Sequence, residues 1–224
     1  MFDGIARRYD VLNHVLSAGL DRRWRARAVR SLDLAGGEVV VDLCTGTGDL
    51  AIALTCGPTT ASLVVGVDFA GEMLRRGQAK IVGRGLAERV RLVRGDVTRV
   101  PVASAAAHCA TVAFGIRNVE QPARALAEMH RLVRPGGRIA ILEFGTPDVP
   151  VLRSVYAWYF QRVLPRLGAA ISGHDSAYAY LPASVGEFGG QEALCSLLRA
   201  AGFISIRAVP LQLGIVYLYE ARRA

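Results

Sequence analysis

The sequence lacks the features that mark several specialised classes of protein. Its 224 residues include only four cysteines, which form neither a CxxC pair nor a spacing typical of metal ligands: Cys44, Cys56, Cys109 and Cys195. No apolar run approaches the length that spans a bilayer, and the N-terminus lacks the basic start and apolar stretch of a signal peptide. We therefore expect a cytoplasmic protein with reduced thiols and without a metal centre.

Lysine is almost absent, because Lys80 is the only one in the chain. Arginine carries the rest of the positive charge, and 27 basic against 19 acidic residues give a formal net charge of +8. A positive balance of this size favours anionic partners such as nucleic acid, acidic lipid headgroups or an anionic ligand. Five arginines cluster around Trp24: Arg22, Arg23, Arg25, Arg27 and Arg30.

Alternating apolar and amphipathic segments predict an α/β fold. We expect strands near 38–43, 62–68, 89–95, 109–114 and 137–143, with helices near 49–56, 70–83 and 121–134 between them. This alternation implies a mostly parallel sheet with helices on both faces. The Pro-Gly-Gly sequence at 135–137 is expected to end the last of these helices and to turn the chain into a strand.

The C-terminal segments predict a hairpin at the end of the sheet. A helix near 191–201 precedes strands near 203–209 and 213–220, and the connection at 211–214 is too short for a crossover helix. We therefore expect the last strand to run antiparallel to the others. The chain is interpreted as one domain with four parts: a helical lid at 1–35, a core at 36–146, an inserted helical cap at 147–190, and the end of the core at 191–224.

The most informative segment begins at Val39 and has the sequence VVVDLCTGTGD. A continuous apolar strand ends in an acid, and the glycines that follow allow a bound ligand to approach the backbone closely. This pattern predicts a nucleotide-type cofactor site that includes Asp42, Gly46, Thr47 and Gly48. The stretch 46–51 also fits the Gly-x-Gly-x-x-Ala pattern of NAD-binding proteins, which is a weak match by itself.

Acids at the ends of successive strands favour S-adenosylmethionine over NAD. Asp42 is expected to organise the loop or to reach the methionine ammonium group, and Asp68 to accept hydrogen bonds from the ribose hydroxyls. Asp96, with its neighbour Val97, follows the third strand and is expected to bind the adenine amino group. Each acid alone fits a turn or helix cap equally well. Together they predict a Rossmann-like class I methyltransferase.

The segment after the fourth strand, residues 113–118, bears on the methyl acceptor. It lacks the Asn-Pro-Pro-Tyr type of element that cradles an exocyclic amine in many base-modifying methyltransferases. No cysteine stands in the Pro-Cys element that a cytosine C5 enzyme needs. Nucleic acid is therefore disfavoured as a partner, despite the positive charge.

Residues 114–119, Phe-Gly-Ile-Arg-Asn-Val, match the FGxRNV signature of the quinone-biosynthesis C-methyltransferases. Further segments match the same family: 1–13, 16–17, 24–25, 132–137, 142–144 and 178–184. The chain thus resembles this family over essentially its whole length. The resemblance implies S-adenosylmethionine-dependent methylation of a prenylated quinol, either demethylmenaquinol or a 2-methoxy-6-polyprenyl-1,4-benzoquinol. A small-molecule O- or N-methyltransferase, and a basic lipid- or RNA-binding domain without turnover, are the alternatives.

The resemblance also implies roles for residues around the fourth strand. Ala113 stands where the family often has a serine that touches the cofactor, and Cys44 and Thr45 replace glycine or alanine after the first acid. Arg117 is expected to stabilise the ionised quinol hydroxyl by ordering a water, and Asn118 to hydrogen-bond the ring oxygen. The alternatives are a surface ion pair for Arg117 and a helix cap for Asn118.

Aromatic and polar residues outside the core complete the expected substrate site. Tyr9 and Asn13 are expected to close over the cleft as part of the lid, and Tyr178 and Tyr180 to line the ring pocket, with ordinary packing as the alternative. The prenyl tail of the substrate lies in the bilayer, so we expect the aromatic and arginine-rich segment at 153–166 to contact the membrane surface transiently. A buried cap helix or a homodimer contact is the alternative for that segment.

Overall fold

The computed structural model describes residues 14, 17–57, 60–147, 158, 162 and 190–224. Within them a seven-stranded sheet is formed by β1 (Val39–Leu43), β2 (Leu63–Asp68), β3 (Val90–Arg94), β4 (Ala107–Ala113), β5 (Val133–Phe144), β6 (Phe203–Leu211) and β7 (Val216–Arg223). The helices are α1 (Leu20–Ser31), α2 (Asp49–Leu54), α3 (Gly71–Gly83), α4 (Pro122–Leu132) and α5 (Gly190–Ala200). Short 3-10 turns cover Ile116–Asn118 and Gln212–Gly214.

The sheet has the strand order β3-β2-β1-β4-β5-β7-β6. Strands β1 to β5 are parallel to one another, whereas β7 runs antiparallel to both β5 and β6. The predicted parallel sheet with an antiparallel last strand is therefore confirmed. The order reverses between β1 and β4, and ligands of open α/β sheets bind at the carboxyl ends of the strands beside such a reversal.

Helices cover both faces of the sheet, as the alternation of strands and helices predicted. Successive side chains of a strand point to opposite faces, and Val40 and Val41 accordingly belong to different cores. Val40 packs in a core with Leu50 of α2 and Ile81 of α3, whereas Val41 shares a core with Leu126 of α4. Helix α1 joins the first of these cores through Trp24 and Ala28, and Leu32, the residue after the helix, continues this four-residue spacing.

The expected junction between α4 and β5 is wrong in position. Helix α4 ends at Leu132, and β5 begins at Val133 rather than after the Pro-Gly-Gly sequence. The backbone of Val133 is already extended, and Arg134 precedes a proline, which disfavours the helical region for that residue. The Pro-Gly-Gly sequence then lies in an irregular part of the strand, because the pairing with β4 shifts register between Ala107 and Cys109.

Several predicted segments lie outside the described residues. Tyr9 and Asn13 of the lid and Tyr178 and Tyr180 of the cap are among them. The division of the chain into lid, core and cap therefore stays a prediction. Of the described residues, none belongs to a helix long and apolar enough to cross a membrane.

Candidate active site

The first predicted acid, Asp42, is buried at the end of β1. Its carboxylate accepts hydrogen bonds from the hydroxyls of Thr45 and Thr111, both at 2.6 Å. Burial raises the pKa of Asp42 to about 6, although the two hydroxyls act in the opposite direction. Asp42 thus connects β1 to the loop that follows it and to β4. Of its two expected roles, organising the loop and reaching the methionine ammonium group, these contacts correspond to the first.

The loop after β1 turns sharply through residues with left-handed backbone geometry. Cys44, Gly46 and Gly48 have φ of 53°, 56° and 77°. The amide of Gly48 donates to the carbonyl of Thr45 at 2.9 Å, which closes the turn, and Gly48 then caps α2. Glycine adopts such angles without steric cost, so the sequence Gly-Thr-Gly suits this turn.

Asp68, at the end of β2, holds two loops at once. Its Oδ2 accepts a hydrogen bond from the amide of Gly46 at 2.8 Å, and its Oδ1 accepts one from the amide of Ala70 at 2.9 Å. The side chain is buried but borders a cavity. Asp68 thus anchors both loops at the wall of the cavity, and a carboxylate at this position accepts hydrogen bonds only.

Asp96 follows β3 and faces solvent more openly. The amide and the hydroxyl of Thr98 both donate to Asp96 Oδ1 at 2.8 Å. These two hydrogen bonds hold the pKa of Asp96 below its usual range. Both fix the carboxylate through one oxygen, so the side chain is oriented and ionised at the edge of the cavity.

A cavity of about 340 Å³ joins the ends of these strands. Its lining includes six of the predicted site residues: Gly46, Asp68, Asp96, Val97, Ala113 and Asn118. Four others do not line it: Asp42, Thr47, Gly48 and Arg117. Asp42 and Gly48 shape the loop behind the cavity, while Thr47 accepts a hydrogen bond from Lys80 Nζ at 2.9 Å on the side of α3.

Eight residues that line the cavity were not among the predicted site residues: Cys44, Phe69, Ala70, Met73, Phe114, Gly115, Val119 and Glu120. Phe69 follows Asp68 directly, and its side chain is 61% exposed where it lines the cavity. An aromatic residue next to an acid at a strand end was the available signal. Burial and the charges of Asp68 and Asp42 raise the pKa of the Cys44 thiol, so it stays protonated.

Arg117, in the turn after β4, forms an ion pair with Glu143 of β5. The two side chains are only 8% and 1% exposed, so the expected alternative of a surface ion pair is wrong about its location. Arg117 also donates to the carbonyl of Phe114 at 2.7 Å and lies over the ring of Phe144. Glu143 was not among the predicted site residues.

Asn118 brings an unsatisfied acceptor to the same cavity. Its Oδ1 is buried and has no hydrogen-bond partner within the described part of the chain. Its Nδ2 points to the carbonyl of Phe114 at 3.4 Å. An orphaned buried acceptor costs about 1–3 kcal/mol, and a ligand hydroxyl or ammonium group in the cavity would satisfy it. The residues present therefore fit a polar ligand.

Three aromatic rings connect helix α1 to this site. Phe114 and Phe144 lie 4.6 Å apart, and Trp24 of α1 lies 5.9 Å from Phe114. The indole of Trp24 also donates a hydrogen bond to Gln212 beyond β6. Phe114 has a φ of 59°, which is uncommon for an aromatic residue. Packing against Trp24 and Phe144 thus holds this strained turn at the cavity.

Comparison with known proteins agrees with this geometry. The model of the ubiE/COQ5 methyltransferase family matches residues 1–223. A demethylmenaquinone methyltransferase from Thermus thermophilus is 44% identical over 223 residues, and the match covers 100% of each chain. A ubiquinone/menaquinone biosynthesis C-methyltransferase from Geobacter sp. is 41% identical, over 98% of this chain and 93% of its own.

A solved structure from Methanococcus maripaludis, assigned as an S-adenosyl-L-methionine-dependent methyltransferase, superposes with a TM-score of 0.71 at 20% identity. It covers 100% of this chain and 94% of its own. The superposition confirms the predicted class I fold, and the family match confirms the prediction of a methyltransferase. The chain belongs to the ubiE/COQ5 methyltransferase family.

Proposed function

We propose that this chain methylates a ring carbon of a prenylated quinol, and that demethylmenaquinol is its acceptor. The observation that carries the proposal is the cavity between Asp68 and Asn118, which joins an acidic cofactor side to a turn backed by the buried Arg117–Glu143 pair. The Thermus relative, matched over its whole length, is named for demethylmenaquinone. The Geobacter relative is named for both quinones, which keeps a methoxybenzoquinol as the second candidate.

The acidic side of the cavity suits S-adenosylmethionine. Asp68 offers acceptors to ribose hydroxyls, Asp96 offers an ionised oxygen to an amino group, and Phe69 offers an apolar surface to a flat ring. Gly46 has no side chain, so the backbone can approach the ligand closely. A side chain at its φ of 56° would also be strained. When bound, the cofactor supplies an electrophilic methyl group on a positively charged sulfur.

The other side of the cavity suits a quinol. A phenol with a pKa near 10 costs about 4 kcal/mol to ionise at pH 7, and a nearby cation lowers that cost. We assign this role to Arg117, with an ordered water between guanidinium and hydroxyl, since Arg117 itself does not line the cavity. Asn118, which does line it, contacts the ring oxygen, and the quinol hydroxyl donates to its unsatisfied Oδ1.

The lipid tail of the substrate implies transient contact with the membrane surface. The protein then works in the cytoplasm as a peripheral enzyme that takes its quinol from the bilayer. Tyr9, Asn13, Tyr178 and Tyr180 are assigned to closing and lining the ring pocket on the basis of the family motifs that contain them. A homodimer contact through the segment at 153–166 is the alternative to its membrane role.

Methyl transfer to defined quinols tests the proposal. The protein is incubated with methyl-labelled S-adenosylmethionine and reduced demethylmenaquinone, or a reduced 2-methoxy-polyprenylbenzoquinone, and the label is located by mass spectrometry. Label on the naphthoquinol ring carbon, lost in Arg117→Ala, is expected. Label on the benzoquinol alone would move the acceptor to the ubiquinone branch. If neither quinol is labelled while the cofactor still binds, the quinone assignment is wrong.

A further inference from the structure

A second and larger cleft lies between helices α1, α2 and α3. It has a volume of about 740 Å³, within the range of ligand-binding cavities. Its charged lining residues are five cations and two acids: Arg22, Arg25, Arg30, Lys80 and Arg84, with Asp21 and Asp49. The formal charge of this basic cleft is therefore 5 − 2 = +3. The function proposed above uses none of these residues.

The two acids of the basic cleft are already neutralised by two of its cations. Asp21 pairs with Arg25, and Asp49 pairs with Lys80 at 2.6 Å and with Arg25 at 3.5 Å. This network leaves a second group of cations without internal counter-charges. The basic cleft therefore has a surplus of positive charge rather than a balanced set of ion pairs.

The surplus lies on Arg22, Arg30 and Arg84. All three are exposed, and their side chains have no hydrogen-bond or ion-pair partner in the described ranges of the chain. Like charges that face one cleft repel one another, and a bound anion removes that repulsion. A guanidinium group presents its N–H donors in a planar fork that matches two phosphate oxygens.

The floor of the basic cleft is apolar. Ala26 and Val29 line it from α1, and Ile52 and Ala53 line it from α2. On α1 the spacing of three to four residues places Ala26 and Val29 on the same face as the cleft arginines. A ligand that fits this arrangement carries phosphate oxygens for the rim and aliphatic groups for the floor.

We propose that the basic cleft binds the phosphate headgroup of an acidic phospholipid and thereby docks the enzyme on the membrane surface. This inference rests on the proposed function, because a prenylated quinol must be taken from a bilayer. The rim arginines contact the phosphate oxygens, and the apolar floor accepts the glycerol and the first methylene groups. The cleft adjoins the cofactor loop, since Lys80 lines the cleft and donates to Thr47 of that loop.

Sedimentation with lipid vesicles tests the proposal without any substrate. The wild-type protein is expected to bind phosphatidylglycerol vesicles and to stay in solution with phosphatidylcholine vesicles. In the triple variant Arg22→Gln, Arg30→Gln, Arg84→Gln, the loss of three charges should weaken binding on the order of 100-fold, since each contributes about fivefold near an acidic bilayer. Equal binding by this variant and the wild type would overturn the proposal.

A matched control removes the same charge from outside the basic cleft. Arg91, Arg134 and Arg207 are exposed and line neither cavity. Their triple change to glutamine should weaken vesicle binding less than about tenfold, because only long-range attraction is lost. If it weakens binding as much as the cleft variant does, the net charge and not the cleft is responsible, and the proposal is wrong.

Two further measurements separate the possible sources of the anion and the two proposals. Titration with glycerol phosphate and with inorganic phosphate should show only millimolar binding. If either compound binds with micromolar affinity while the protein does not bind vesicles, the cleft is a site for soluble anions and the proposed docking on the membrane is wrong. The cleft variant should methylate a short-tailed quinol in detergent at the wild-type rate, yet lose activity on a long-tailed quinol in vesicles. Vesicle binding without methylation of any quinol would contradict the proposed function alone.

Discussion

Arg117 and Glu143 form a buried ion pair that links the turn after β4 to the neighbouring strand β5. Taking two charges out of water costs several kcal/mol per ion, and extra hydrogen bonds are needed to offset this cost. The pair has them, because the amide of Phe144 donates to Glu143 at 2.8 Å and Arg117 donates to the carbonyl of Phe114. The pair therefore fixes the position of a cation next to the cavity.

Removing one charge of this ion pair should destabilise the protein. Glu143→Gln leaves the guanidinium of Arg117 buried without its counter-charge, and we expect the free energy of unfolding to fall by about 3–5 kcal/mol. In the double variant Arg117→Gln, Glu143→Gln, no charge is stranded, so its loss should be at least about 1 kcal/mol smaller than the sum of the two single losses. Urea denaturation of the three variants measures these values, and strictly additive losses would contradict the coupling.

The sequence predicted those features of the fold and site that depend on neighbouring residues. The acids Asp42, Asp68 and Asp96 each follow an apolar run, so their place at the strand ends was predictable. Glu143 was missed because its partner Arg117 is 26 residues away, and only the pairing of β4 with β5 brings them together. The start of β5 was misplaced because pairing with β4 extends the strand through a Pro-Gly-Gly sequence that is normally a turn.

The basic cleft could likewise be predicted only in part, because it depends on contacts between residues that are distant in the sequence. The arginine cluster of α1 was evident from the sequence, but which of its members share a cleft depends on how α1 packs. Trp24 is buried in the core, so Arg22 and Arg30 lie on one side of the helix and line the cleft with Arg84, the residue after α3. Periodicity alone could not identify that neighbour.

Asp42 should make stability depend on pH in an unusual direction. Its pKa is about 6 in the folded protein against 3.8 in the unfolded chain, so the folded state binds this proton more tightly. The free energy of unfolding therefore falls by about 3 kcal/mol as the pH rises from about 4 to about 6, because each pKa unit corresponds to about 1.36 kcal/mol. Above about pH 6 this contribution is constant. Asp42→Asn removes the titration, and its amide can still bond Thr45 and Thr111.

The measurement is the difference in unfolding free energy between the wild type and Asp42→Asn at several pH values. The variant should gain about 3 kcal/mol relative to the wild type between pH 4 and pH 6. Thr111→Val serves as a second test, because loss of a hydroxyl that stabilises the carboxylate should move the upper end of this window to higher pH. A difference that is flat with pH would show that Asp42 has an ordinary pKa.

Gly115 should not tolerate a side chain. A Cβ placed on Gly115 would lie 2.3 Å from the Cβ of Cys44, and neither atom can move without its backbone. We expect Gly115→Ala to lower the free energy of unfolding by about 1–3 kcal/mol. Gly83→Ala is the control, because a Cβ there meets nothing within 4 Å, and it should change stability by less than about 1 kcal/mol. Thermal melting of both variants measures the effect.

A change in the contacting residue should rescue that variant. Cys44→Gly removes the obstructing Cβ and also relieves a φ of 53° that glycine adopts without strain. The double variant Gly115→Ala, Cys44→Gly is therefore expected to melt close to the wild-type temperature. If it melts no higher than Gly115→Ala alone, the contact between the two positions is not the cause.

Asp68 should contribute more to cofactor binding than Asp96 does. The carboxylate of Asp68 accepts from the amides of Gly46 and Ala70 through two different oxygens. An asparagine side chain has only one oxygen, so its NH₂ group would face one of these two N–H donors. Because a hydrogen bond to a charged group contributes about 1.5–3 kcal/mol, Asp68→Asn should weaken S-adenosylhomocysteine binding about 10- to 100-fold. Asp96→Asn can keep both bonds from Thr98 through its single oxygen, so its loss should stay within about tenfold.

Calorimetric titration of both variants with S-adenosylhomocysteine and with its inosine analogue measures these contributions separately. The inosine analogue lacks the adenine amino group, so Asp96→Asn should remove the preference for the adenine form while Asp68→Asn should preserve it. Thermal melting without ligand controls for loss of fold, since Asp68 also holds two loops. Wild-type affinity in Asp68→Asn, or an unchanged preference in Asp96→Asn, would show that these acids only cap turns and that the cofactor binds elsewhere along the strand ends.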